Sequence, residues 1–353
     1  MTEINCIVSK LIAVLSIAAF LNSCDRLQEE VSISDIPSYY FDNGYLDNRV
    51  KSINDAISEC AGNSETFFWI TDIHWEQGLN AHNSPLLIKY IASKTGVNKV
   101  LNGGDNGNSQ VVCENAIEHL RNAIGSNKVY AVTGNHEIVD ASGYERPFMR
   151  VADELRGHNT DIVYGDADKS YFFFDNQADH IRYVGLSTFG LYHDKKCDSC
   201  YTGEQLAWLK NTALNVAAGW TIIIFTHSLY YVKIDSNKLV ISPTGAENFI
   251  DAIDEYDGNG TIASVFMGHS HKDRIHIGKT GIPYIISACD RYMPYKGDIN
   301  VERIQGTTSE QHFEVVVIDK GKRQIKLFSI GANARDGYDD DSGREVSERT
   351  VCY

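Results

Sequence analysis

Thr133-Gly134-Asn135-His136-Glu137 follows a short apolar run at residues 129–132. Such a run reads as a buried strand of a parallel sheet. Gly134 is expected to let the backbone turn sharply at the strand end, presenting Asn135 and His136 side by side. Open α/β sheets place their ligands at the carboxyl ends of parallel strands. Asn135 brings an amide oxygen. His136 brings an imidazole, the side chain best suited to proton exchange near neutral pH. Alone, the stretch is compatible with an ordinary surface turn. Its weight comes from four other strands that end in the same way.

The strand at 66–71 runs into Asp72-Ile73-His74, where continued extended geometry would put Asp72 and His74 on one side. The strand at 99–102 opens onto Gly103-Gly104-Asp105-Asn106. The β-branched run at 221–225 ends at Thr226-His227, and the strand at 262–267 ends at Gly268-His269-Ser270-His271. Helices are predicted between them. Residues 45–60 have the three-and-four apolar spacing of an amphipathic helix. Ser84-Pro85 suits a helix start with serine as N-cap, and 111–124 reads as a further helix. Thr202 to Gln205 and Thr244 to Glu247 have capping-box form. Further strands are expected at 171–174, 181–186, 285–288, 313–318 and 324–329. The segment after Arg335 reads as a polar, disordered tail.

Asp72, His74, Asp105, Asn135, His227, His269 and His271 thus sit just past five apolar strands. Any one of them alone reads as a cap or a surface histidine; chance explains the joint placement poorly. Imidazole, carboxylate and amide ligands without thiolate suit Mn, Fe or Zn. The set is too large for one tetrahedral ion and matches two divalent ions, provided a carboxylate bridges them. With Asp72, Asp105 and a bound hydroxide, such a pair keeps a charge of about +1, which attracts phosphate and lowers the pKa of water.

In this order, Asp-x-His, Gly-Asp, Gly-Asn-His-Glu, a lone His and Gly-His-x-His resemble the calcineurin-like metallophosphoesterase superfamily, over roughly residues 67–328. The resemblance implies a four-layer α/β/β/α sandwich of two mixed β-sheets with a binuclear centre at the strand ends. It implies that Asp72, His74 and His271 hold one metal, that Asn135, His227 and His269 hold the other, and that Asp105 bridges them. His136 is then the acid that protonates the leaving oxygen, with a metal-bound hydroxide as nucleophile. The implied activity is hydrolysis of small phosphate esters, as a monoesterase or a diesterase. No tyrosine closely follows Asp105, so the ligand set of purple acid phosphatases is incomplete. Asp105-Asn106-Gly107-Asn108 lacks the Asp-Arg-Gly of protein serine/threonine phosphatases, which argues against phosphoprotein substrates. Ser187 stands where relatives often carry aspartate.

The chain of 353 residues is 43% hydrophobic and 22% charged, a globular composition. A net charge of −15 repels polyanions and argues against nucleic acid as a partner. Residues 11–21 form an apolar run too short for a comfortable transmembrane helix. It ends at Leu21-Asn22-Ser23-Cys24, which resembles a bacterial lipoprotein processing site. Residues 1–23 are therefore read as a signal peptide, with a lipid anchor at Cys24, export to the periplasmic side or cell surface, a polar tether over 24–44 and a catalytic domain over 45–335. An ordinary secretory signal is the alternative. Cys197 and Cys200 read as a local disulfide or as free thiols. Trp75, Tyr144, Phe148, Tyr192, Tyr230 and Tyr231 near the site loops suit either core packing or a non-catalytic, surface-tethered binding protein that keeps the fold.

Overall fold

The computed structural model describes residues 32–353 apart from 61, 77–79, 139–155, 168, 189, 193–194, 198–199, 233–238, 242–244, 293–299 and 337–342. Met1–Asp35 and Ile36–Tyr353 are separate compact units. In the first, Ile33–Asp35 is a single 3-10 turn. The second holds every other described element.

The helices are α1 (Tyr45–Glu59), α2 (Asn83–Thr95), α3 (Gln110–Ile124), α4 (Asn135–Ile138), α5 (Gly203–Trp208) and α6 (Ala246–Asp254). The strands are β1 (Ser64–Ile70), β2 (Val100–Asn102), β3 (Val129–Ala131), β4 (Val163–Tyr164), β5 (Phe172–Asn176), β6 (Ile181–Gly185), β7 (Gly190–Tyr192), β8 (Lys195–Cys197), β9 (Thr221–Phe225), β10 (Tyr230–Val232), β11 (Leu239–Ile241), β12 (Thr261–Met267), β13 (Arg274–Ile277), β14 (Pro283–Ile286), β15 (His312–Asp319), β16 (Gln324–Gly331), β17 (Ala334–Arg335), β18 (Glu345–Val346) and β19 (Glu348–Cys352).

Two mixed sheets result, ordered β19-β16-β15-β1-β2-β3 and β13-β14-β12-β9-β6-β5-β4. In the first, β1, β2 and β3 are parallel and β15, β16 and β19 continue antiparallel. In the second, β6, β9, β12 and β14 are parallel. Every strand that precedes a candidate ligand lies in one of these parallel blocks.

The sheets meet through Phe67 and Trp69 of β1, Tyr183 of β6, Phe225 of β9, Phe266 of β12 and Val316 of β15, all buried in one cluster. The rings of Phe67 and Trp69 lie 5.5 and 5.4 Å from that of Phe266. The outer face of the second sheet is covered from α6 by Phe249 and Ile253, which pack on Ile222, Ile224 and Val265. α1 lies against β15 and β16, and α2 against α1 and α3. The order of layers is α/β/β/α, as the resemblance implied.

Several local expectations are corrected. The tether is shorter than 24–44, because packing begins at Ile36 and Tyr40 is fully buried, donating to Gln311 Oε1 at 2.6 Å. The segment after Arg335 is not a loose tail: β19 pairs with β16 along its length and closes the edge of the first sheet. Ser84 does not cap α2. His82 holds that place, and the Ser84 hydroxyl donates instead to Asp290 Oδ1 at 2.6 Å. Thr202 does cap α5, accepting from the amide of Gln205 at 3.1 Å. The cap of α6 is Gly245, and Thr244 lies outside the described residues.

Candidate metal centre

The site is built where the parallel strands stop. Past β1 and β2 the loops remain zipped: the amides of Asp72, His74 and Trp75 donate to the carbonyls of Gly104, Asp105 and Asn106 at 2.9 to 3.0 Å. From the other sheet, Gly268 donates to the carbonyl of His227 at 3.0 Å. Extended geometry does not continue through Asp72-Ile73-His74, contrary to expectation. Asp72 and His74 have φ of 54° and 44°, and Asp105, His269 and His271 lie at 56°, 67° and 58°. Five of the ten described non-glycine residues with positive φ are therefore candidate ligands. Such conformations cost about 1–3 kcal/mol each and persist where the surroundings enforce them, commonly at functional sites.

Gly134 is needed for closeness rather than for a left-handed turn, since its φ is not positive. A Cβ there would lie 2.2 Å from Asp105 Oδ1 and 2.8 Å from His227 Cε1. One on Gly268 would lie 2.3 Å from Asp72 Oδ2.

The side chains converge into two groups with a shared member. In the first, His271 Nε2 lies 3.3 Å from both His74 Nε2 and Asp72 Oδ1. In the second, His227 Nε2 lies 3.2 Å from His269 Nδ1 and 3.4 Å from Asp105 Oδ2. Asp105 Oδ2 is also 4.0 Å from His74 Nε2 and 3.9 Å from His136 Nε2, so it joins the groups. Either group is compact enough for one metal ion. The Oδ1 of Asn135 is buried and accepts no hydrogen bond. Oxygen and imidazole donors without thiolate, arranged in two joined groups, fit two divalent cations.

Burial opposes ionisation of Asp72 and Asp105, yet the imidazoles around them (His271 and His227 foremost) hold both carboxyls below the usual range. Burial pushes His74 and His269 down to about 4. His227 is pushed down by burial but raised to about 10 overall by the Asp105 carboxylate. Its Nδ1 faces the carbonyl of Gly103 at 2.7 Å, which can only accept, so Nε2 is the nitrogen turned to the centre.

Two residues that the ligand pattern did not single out position the others. Glu137 is fully buried and accepts from the amides of Gly134, Asp105 and Asn106 at 2.6, 2.9 and 2.6 Å. One carboxylate thus ties the loop after β3 to that after β2. Asn108 accepts from His136 Nδ1 and is itself anchored through its amide to Glu76 at 2.7 Å. Ser187 is taken up by Gln205, which bonds both its amide and its carbonyl. Trp75 packs against His82 edge-to-face and against His119 at a tilt, with ring centroids 4.4 and 4.7 Å apart. Tyr144 and Phe148 lie outside the described residues, as do the side chains of Tyr192, Tyr230 and Tyr231. Cys200 is disulfide-bonded, while Cys60, Cys113, Cys289 and Cys352 form no disulfide.

The sequence profile of the calcineurin-like phosphoesterases matches residues 66–273, more than half of the chain. The chain belongs to the calcineurin-like phosphoesterase family. Among solved structures it is similar to a dimetal phosphatase from Danio rerio, with a TM-score of 0.53 and 15% identity over 82% of this chain and 98% of that one. It is also similar to a purple acid phosphatase from yellow lupin (Lupinus luteus), with a TM-score of 0.50 and 10% identity over 82% of this chain and 54% of that one. At these identities the likeness is one of fold. No curated protein matches the sequence significantly. The family makes the chain a phosphoesterase, and its members' metal dependence agrees with the donor set assembled here.

Proposed function

We propose that this phosphoesterase hydrolyses small phosphate esters at a binuclear centre in which Asp72, His74 and His271 hold one cation and Asn135, His227 and His269 the other, with Asp105 shared. The observation that carries this reading is Asp105 Oδ2, which lies within 4.0 Å of imidazoles from both groups. The cations supply an activated water and a clamp for the phosphoryl oxygens. The chain supplies the rest. Glu137 and Gly103 fix the loops and the His227 tautomer. Asn108, by accepting from Nδ1 of His136, aims the Nε2 of that ring at the centre.

His136 then acts as the acid that protonates the departing oxygen. A positioned general acid contributes roughly 10²–10⁴-fold, in proportion to how poorly the leaving group departs unaided. His136→Ala should cost far more kcat on alkyl phosphates than on nitrophenyl phosphate, with bound metal unchanged. Equal losses on both esters would rule out the acid role, and a parallel loss of metal would make His136 a ligand instead. A panel of monoesters and diesters assayed with Mn²⁺, Fe²⁺ or Zn²⁺ separates the two ester classes. Absence of turnover on every ester with every metal would favour a binding protein.

We infer also that the enzyme works outside the cytoplasm, tethered through lipid on Cys24. The support is the apolar run that stops at that cysteine. Cys24→Ser should release the protein from membranes or block its processing. Unchanged membrane association and mass would remove the anchor.

A further inference from the structure

Behind the centre lies a second cluster of charges: Asp273, His312, Glu314 and Arg349, all buried. Its acid and imidazole atoms lie close enough to hold a metal ion. A cation is already present, however, in the guanidinium of Arg349. Nη1 and Nη2 of Arg349 meet the two oxygens of Asp273 at 2.7 and 3.1 Å, and Nη2 also meets Glu314. Arg349 comes from β19, the last strand of the chain.

The two carboxylates lead to opposite ends of one loop. Asp273 stands two residues past His271, and its Oδ1 is further held by the amide of Arg335 at 2.9 Å. Glu314 accepts from the hydroxyl of Ser287 at 3.0 Å. The amide of Ser287 donates to the carbonyl of Met267 at 3.0 Å, just before Gly268 and His269. Residues 268–273 carry both histidines of the Gly-His-x-His stretch in left-handed backbone conformations. Strained backbone keeps its shape only where its surroundings over-determine it. Arg349 reaches the loop ahead of His269 by way of Glu314 and Ser287, and past His271 it bonds directly to Asp273.

We propose that Arg349 is a positioning residue for the metal centre: through Asp273 and Glu314 it clamps both ends of the His269–His271 loop, so the C-terminal strand is part of the catalytic apparatus. This rests on the ligand assignment proposed above. The clamp is direct at the His271 end and passes through Ser287 at the His269 end. The Asp72/His74/His271 site therefore depends on it more. Loss of partners that orient metal ligands commonly costs 10–100-fold in metal affinity.

The test is Mn²⁺ binding to the full chain, measured by calorimetry and by electron paramagnetic resonance, with melting recorded in parallel. Wild type should bind two ions with an exchange-coupled spectrum. Arg349→Met should weaken one ion 10–100-fold and give an uncoupled signal at concentrations that leave the other site filled. Arg349→Lys, which keeps the charge but loses the two-pronged contact with Asp273, should fall between. Ser287→Ala, a milder change, should weaken binding without threatening the fold and decides the matter if Arg349→Met does not fold. Two ions bound with wild-type affinity and coupling in Arg349→Lys and Ser287→Ala, whatever their melting points, would overturn the clamp while leaving the metal reading intact. A wild type that binds no pair of ions overturns that reading and the clamp together.

Discussion

Gly134 shows how little room the centre leaves. A methyl group there would press on the carboxylate of Asp105 and on the ring of His227, one from each sheet. Neither can retreat cheaply: Asp105 Oδ1 receives the His136 amide at 2.9 Å, and His227 is held by the Gly103 carbonyl. Gly134→Ala should therefore lower bound metal by tenfold or more while leaving the far-ultraviolet circular dichroism unchanged, since the backbone conformation itself is open to alanine. Normal metal content in that variant would mean that the loop yields more easily than its contacts indicate. The glycine was visible in the sequence, but its reason was not. It stands where it does because two loops from different sheets cross there, and a local pattern carries no trace of that approach. The same holds for Glu137. Its place in the Gly-Asn-His-Glu stretch was plain, whereas its three amide partners belong to loops 31 or 32 residues away as well as to its own.

At the scale of elements, the parallel strands were legible because each is a dense apolar run, buried on both faces. β9 is buried throughout, and β12 is buried from its second residue onward. β19 was not legible, and its sequence shows why. Its inward positions are Arg349 and Val351, its outward ones Glu348, Thr350 and Cys352. A charged residue on the inner face erases the alternation by which a half-buried strand is recognised. The sheets themselves are fixed to each other by aromatic contacts, foremost Phe266 against Phe67 and Trp69. Phe266→Ala should cost about 3–5 kcal/mol, read as a lower urea midpoint at unchanged slope. A loss under about 1 kcal/mol would show that the neighbouring rings collapse into the space and that the sheet interface is less tightly specified than its packing suggests.

For the whole molecule, the decisive coupling is between metal and fold. Asp72, Asp105, His74 and His227 are buried with little exposure to water. Without cations, His74 and His269 are held uncharged by burial, and His227 keeps a proton for Asp105. The loops that carry these groups come from both sheets, so ions held by the proposed ligands would tie the layers together at one end. An ion bound only by the native state stabilises it by RT ln(1 + [L]/Kd), about 2.7 kcal/mol at a hundredfold excess over Kd. Added Mn²⁺ should raise the melting temperature by several degrees and chelator should reverse the rise. If His227 is a ligand as proposed, binding there displaces a proton, and the gain should be larger at pH 8 than at pH 6. Asp105→Ala, which removes the proposed shared ligand, should abolish the response to Mn²⁺, whereas Cys352→Ser at the exposed end of β19 should keep it. If wild type and Asp105→Ala melt identically with and without Mn²⁺, the two groups of side chains do not form a shared metal site.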